Sequence, residues 1–102
     1  MKVIAYKVGQ EPQVIELEND LKEMQDFVGG YIEAIPVTDE LILVCNEEGK
    51  YLDLPTNRQV YMMDRPVLRD VICGNFFVCR DNEEDFADIH DGDIESLGGI
   101  IV

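Results

Sequence analysis

The run Leu41-Ile42-Leu43-Val44-Cys45 sets five apolar residues side by side, where a strand with one wet face would alternate. Neighbouring side chains on a strand point to opposite faces, so both faces of this one have to be covered. It reads as a central strand of a sheet with further structure on either side. Residues 71–80, VICGNFFVCR, form a second strong apolar stretch and predict another strand, bent or bulged at Gly74.

The remaining elements are weaker and are placed around these two. Residues 2–8 and 13–18 have strand patterns, and Gly9-Gln10-Glu11-Pro12 between them marks a turn, which predicts an N-terminal hairpin. Asp20 followed by Glu23 is a capping box, and Leu21, Met24, Phe27 and Val28 recur at helical spacing. Gly29-Gly30 then ends the helix, its first glycine suited to a left-handed C-cap, so a helix is expected over about 20–28. Residues 31–37 give a strand with Pro36 near its end or at an edge, and 50–54 a short returning strand. Between them, Asn46-Glu47-Glu48-Gly49 has the residues of a tight turn, with Gly49 expected at positive φ to close a bulged hairpin. Residues 55–70 contain two prolines and read as irregular, apart from a strand piece around 60–63. Asp93 to Leu97 holds one helical turn, and the final GGIIV either adds a short strand or frays. The expected class is α+β: a mostly antiparallel twisted sheet of about five to six strands, with one main helix packed on it and a short C-terminal helical turn.

At 102 residues the chain is a single small domain, 1–102. A domain of this size buries roughly two-thirds of its unfolded surface, so it requires no disulfide or metal staple. No apolar run approaches the roughly 18 residues of a membrane span. The start, Met-Lys-Val-Ile-Ala-Tyr-Lys, enters a strand pattern directly, without an apolar leader. Cys45, Cys73 and Cys79 are an odd number among apolar neighbours, which suits reduced thiols. Both observations predict a cytoplasmic protein.

Charge narrows the partners. The chain holds 22 acids against 8 bases, a net charge of -14. Nucleic-acid binding relies on Lys and Arg clusters, so direct contact with DNA or RNA is disfavoured. The imbalance is concentrated: residues 81–102 carry 8 of the acids and no Lys or Arg, and the densest part is an acidic segment at 81–95.

Most chemical motifs fail on inventory. An EF-hand loop begun at Asp81 has Phe86 where glycine belongs and Gly92 where the closing glutamate belongs. Cys73, Cys79 and His90 lack the spacing of a structural zinc site. Ser96 and His90 are the only serine and histidine, and no nucleophile elbow presents the serine. Gly29-Gly30 ends a helix and so cannot cradle a phosphate at a helix start. No catalytic residue, metal ligand or cofactor is therefore assigned. Asn57-Arg58, just after Pro55, stands apart, because turn chemistry does not explain it and an Arg fork binds phosphate or carboxylate.

Four segments in order, VGGYIEAI (28–35), VCNEEGK (44–50), LPTNR (54–58) and DVICGNFFV (70–78), resemble a family of short bacterial, phage and plasmid proteins known as domain of unknown function 3846. The resemblance spans about residues 1–89. It implies a cytosolic protein, often borne by mobile elements, with no assigned reaction. The family pattern ends in a longer helix, where this chain has IHDGDIESLGGIIV.

Two expectations of function follow. The first is a non-enzymatic acidic interaction protein, of the kind an anti-defence factor would be, that mimics nucleic-acid charge and occupies the basic surface of a host nucleic-acid-binding protein. Its contact residues would be Glu83, Glu84, Asp85, Asp88, Asp91 and Asp93, joined by Glu47 and Glu48 if these share the same face. The alternative is a module for a small polar or phosphorylated ligand held by Asn57 and Arg58, alone or in a homo-oligomer.

Overall fold

A computed structural model describes all of residues 1–102. Strands β1 (Lys2–Tyr6) and β2 (Gln13–Glu16) precede helix α1 (Leu21–Val28), which is followed by β3 (Ile32–Pro36) and β4 (Leu41–Asn46). Next come β5 (Thr56–Tyr61), β6 (Leu68–Cys73), β7 (Phe76–Asp81), β8 (Phe86–Ala87) and the short helix α2 (Asp93–Ser96). The main sheet is antiparallel with order β2-β1-β7-β4-β3, and β8 pairs with the end of β7. β5 and β6 form a separate two-stranded sheet.

The main sheet is the middle of three layers, as the run at 41–45 requires. Val44, Ile42, Phe77, Cys79 and Val3 face α1, together with Met24 and Val28 of that helix. Leu41, Leu43, Cys45, Phe76 and Val78 face the other way, onto Val60 and Ile72 of the β5–β6 hairpin and onto Leu97, Ile100 and Ile101. The alternation along β4 and β7 is thus between two apolar layers.

Local chemistry sets the helix ends. The Asp20 carboxylate accepts hydrogen bonds from the amides of Lys22 and Glu23, and Gly29 takes the left-handed conformation (φ 83°) while donating to Gln25 O. No helix of the protein is long and apolar enough to cross a membrane.

The structure departs from expectation between residues 47 and 80. Residues 50–54 are not a strand: they turn, with Asp53 at φ 58°. Gly49 does not close a hairpin, and its φ is not positive. The segment instead leaves the centre of the main sheet and crosses to the second one. Gly49 is needed there because a Cβ would stand 2.8 Å from the Cys73 carbonyl oxygen. Residues 71–80 are two strands rather than one, since Gly74 (φ 83°) turns the chain from β6 in one sheet into β7 in the other. Much of the stretch expected to be irregular is β5 and the start of β6. The GGIIV end neither frays nor forms a full strand: residues 97–100 turn and Ile101 makes a single antiparallel bridge to Val60, with Gln59 and Val102 exchanging backbone hydrogen bonds and Tyr61 N–H donating to Ile100 O.

Candidate functional site

The sheet register decides which loops are neighbours. β4 starts at Leu41 opposite Arg80 of β7, and β1 starts at Lys2 opposite Glu16 of β2. The end of β2, the end of β3 and the end of β7 therefore lie at the same end of the molecule. Asp81 N–H donates to Glu40 O, and the Asn19 side-chain amide donates to Phe86 O, tying the three connecting loops together. Exposed Glu18, Asp20, Asp39, Glu40, Asp81, Glu83, Glu84 and Asp85 meet there. The positive groups nearby are largely engaged: the terminal amine lies 3.3 Å from Glu16, Lys22 pairs with Asp26, and Arg80 is held between Glu40 and Asp93.

Of the acids expected to contact a partner, Glu83, Glu84, Asp85, Asp88 and Asp91 are exposed. Asp88 also accepts a hydrogen bond from Lys2 N–H at 2.9 Å, which fixes the segment to β1. Asp93 differs, because it is 6% exposed and its carboxylate is occupied. Arg80 Nε and Nη2 donate to its two oxygens at 2.9 and 2.8 Å, and His90 N–H donates at 2.7 Å. Burial by itself raises the Asp93 carboxyl, but the hydrogen bonds from Arg80 and His90 N–H outweigh it and hold the group below the ordinary carboxylate range. Asp93 is a structural anchor and offers a partner nothing. Glu47 and Glu48 lie past the far end of β4, roughly 20 Å of strand away from the acidic end, so they do not share its face.

Asn57 and Arg58 meet internal partners. The Asn57 amide donates to the carbonyls of Tyr6 and Gly74, both at 2.8 Å, and its Oδ1 accepts from Arg58 Nη1 at 2.7 Å. Arg58 Nη2 donates to Gln10 O at 2.5 Å, and the guanidinium lies 5.7 Å from the Tyr6 ring centroid. The pair ties the β5–β6 sheet to β1 and to the turn that follows it. Replacing Asn57 with alanine removes both of its amide hydrogen bonds and should lower stability by about 1–2 kcal/mol, read by urea denaturation. A variant of unchanged stability would return the pair to the candidates for ligand binding.

Two of the three thiols are unactivated. Burial pushes the thiols of Cys45 and Cys79 up to about 12, away from the thiolate. Sequence reasoning missed the Arg80–Asp93 pair, although one signal was present: Arg80 is the last cation before an acid-only segment. It also missed the reach of Asn46, whose side chain donates to Val28 O at 3.2 Å while accepting from Glu48 N–H at 2.7 Å. That residue joins the end of α1 to the sheet as well as opening the turn.

Fold and surface define a small three-layer α+β domain with one acidic end. The chain belongs to the family described as Domain of unknown function (DUF3846), whose model matches residues 1–100. The match continues past residue 89 through α2 and ends at Ile100, further than the motifs alone reach. Comparison with curated proteins and with solved structures finds no match.

Proposed function

We propose that this protein is a non-enzymatic interaction protein of the cytoplasm, whose acidic end occupies the basic groove of a nucleic-acid-binding partner in place of a phosphate backbone. The observation that carries the reading is the convergence of three acidic loops around residues 18–20, 39–40 and 81–85, with the nearby Arg80 neutralised by Glu40 and Asp93. Clustered charge of one sign produces a directed field that speeds encounter and fixes orientation on an oppositely charged surface. When such a chain is borne by a mobile element, the fitting partner is a host enzyme that acts on foreign nucleic acid. The alternative, a polar-ligand module at Asn57 and Arg58, has less support, because the polar atoms it would use are already bonded within the fold.

The test is capture on the immobilised protein, comparing wild type with the triple variant Glu83→Gln, Glu84→Gln, Asp85→Asn. Nucleic-acid-binding proteins should be retained at low salt, be released by added duplex DNA, and bind the triple variant about tenfold more weakly. Retention that ignores the three substitutions and the DNA competitor would sink the reading.

A further inference from the structure

The outer edge of β3 has unused backbone groups and a groove beside it. Glu47 N–H donates to Tyr31 O at one end of the β3–β4 ladder, and Val37 N–H donates to Leu41 O at the other. Bonded pairs in an antiparallel ladder recur every second residue, so Tyr31, Glu33, Ile35 and Val37 turn their backbone groups toward β4. The N–H and C=O of Ile32 and Ala34 consequently point away from the sheet. Pro36 ends the edge, having no N–H, and its carbonyl is capped by the Arg69 guanidinium. The neighbouring strand β6 guards its own edge differently, since the Asp70 carboxylate accepts from Val71 N–H at 2.7 Å and is held by Lys50.

Beside this edge, on the hairpin side of the sheet, two adjoining cavities of about 310 and 260 Å³ share Glu33, Asp70 and Ile72 as walls. The floor of the second is apolar, formed by Ile35, Leu43 and Val60. A strand added to β3 would turn alternate side chains into this groove, one opposite Ile35 and one opposite Glu33. The first position meets an apolar floor. The second meets Glu33, an exposed carboxylate that makes no ion pair in the structure and accepts one side-chain hydrogen bond, from the Cys45 thiol at 3.9 Å.

We propose that β3 is a strand-addition site for an extended segment of a partner protein that runs antiparallel to it and carries an apolar residue two positions before a lysine or arginine. The occupant is basic on grounds of charge. A second copy of this chain, paired so that both Ile32 and Ala34 are used, would bring Glu33 directly opposite its own symmetry mate, and like charges facing across strands repel. The chain's net charge of -14 adds to that repulsion. Backbone bonds to Ile32 and Ala34 supply the pairing, while the groove and Glu33 choose the sequence. This site is separate from the acidic end and stands or falls without it.

The test uses the intact protein labelled for NMR and two synthetic peptides, acetyl-Thr-Val-Thr-Lys-Thr-amide and its counterpart with glutamate in place of lysine. The lysine peptide should shift the amide signals of Ile32 and Ala34, and the glutamate peptide should bind about fivefold more weakly. Glu33→Lys should reverse that preference. Ala34→Pro removes an outward donor but no bond to β4, so it should abolish binding while leaving the remaining spectrum folded. Shifts that avoid β3, indifference to peptide charge, full binding by Ala34→Pro, or dimerisation of the free protein through β3 would each overturn the proposal.

Discussion

Phe77→Ala is expected to lower stability by about 4 kcal/mol, the range of a fully buried Phe truncated to alanine. Phe77 is 0% exposed and lies on β7 between Ala5 of β1 and Val44 of β4. Its ring meets Phe27 of α1 edge-on, with centroids 5.8 Å apart and planes at 79°. The small neighbour Ala5 cannot grow into the space, and the paired central strands cannot close over it, so the cavity persists. Domains of this size have a net stability of about 5–15 kcal/mol, which makes the loss a large fraction of the total. In urea the midpoint should fall by about 2–3 M. Tyr31, large but exposed, is the control: Tyr31→Ala should change stability by less than about 0.5 kcal/mol. If Phe77→Ala behaved like that control, α1 would not be docked on the sheet as described.

Asp93→Ala is expected to cost about 3 kcal/mol at neutral pH. The carboxylate is buried, and its removal leaves both the His90 N–H and two guanidinium donors of Arg80 without an acceptor. The loss stays at the low end for a broken buried pair, because the Arg80 side chain is 20% exposed and retains Glu40 at 3.0 Å. The damage should spread in one direction. Leu97, Ile100 and Ile101 follow Asp93 in the chain and complete the core against Val60, so hydrogen exchange should quicken first at 97–102 and at Gln59 and Tyr61.

Acid titration gives an independent reading of the same pair. The folded Asp93 carboxyl is held below its unfolded value, so its contribution is present above about pH 4 and is lost as pH falls through the folded value. Wild type should therefore lose stability over that acid range more steeply than Asp93→Ala, and the two curves should converge at the lowest pH. Parallel curves would mean that the ion pair does not form in solution.

Much of the framework was legible from short stretches. The unbroken apolar run at 41–45 required a strand covered on both faces, and it is buried throughout between α1 and the β5–β6 hairpin. Asp20 and Gly29 marked the helix ends correctly, because caps act through backbone groups only a few residues away. The acidic loop at 81–85 was also plain, since a dense run of carboxylates without an apolar partner stays in water.

Other features depended on residues distant in the chain. Residues 71–80 read as one strand because their periodicity is continuous, while the change of sheet at Gly74 depends on where β1 and β5 already lie. Gly49 was read as a turn residue, yet what fixes it is the approach of the Cys73 carbonyl.

By itself the sequence determined a covered antiparallel sheet, one capped helix and an acid-rich C-terminal segment, since these follow from side-chain period, caps and composition. Tertiary structure alone decided what each polar side chain does. Strand register brings Arg80 to Asp93, Asn57 to the carbonyls of Tyr6 and Gly74, and the acidic loops to one end, while it leaves Glu33 unpaired beside an open edge. A hydrogen bond or ion pair is satisfied by whichever group the fold places within about 3 Å, and that neighbour is seldom a neighbour in sequence.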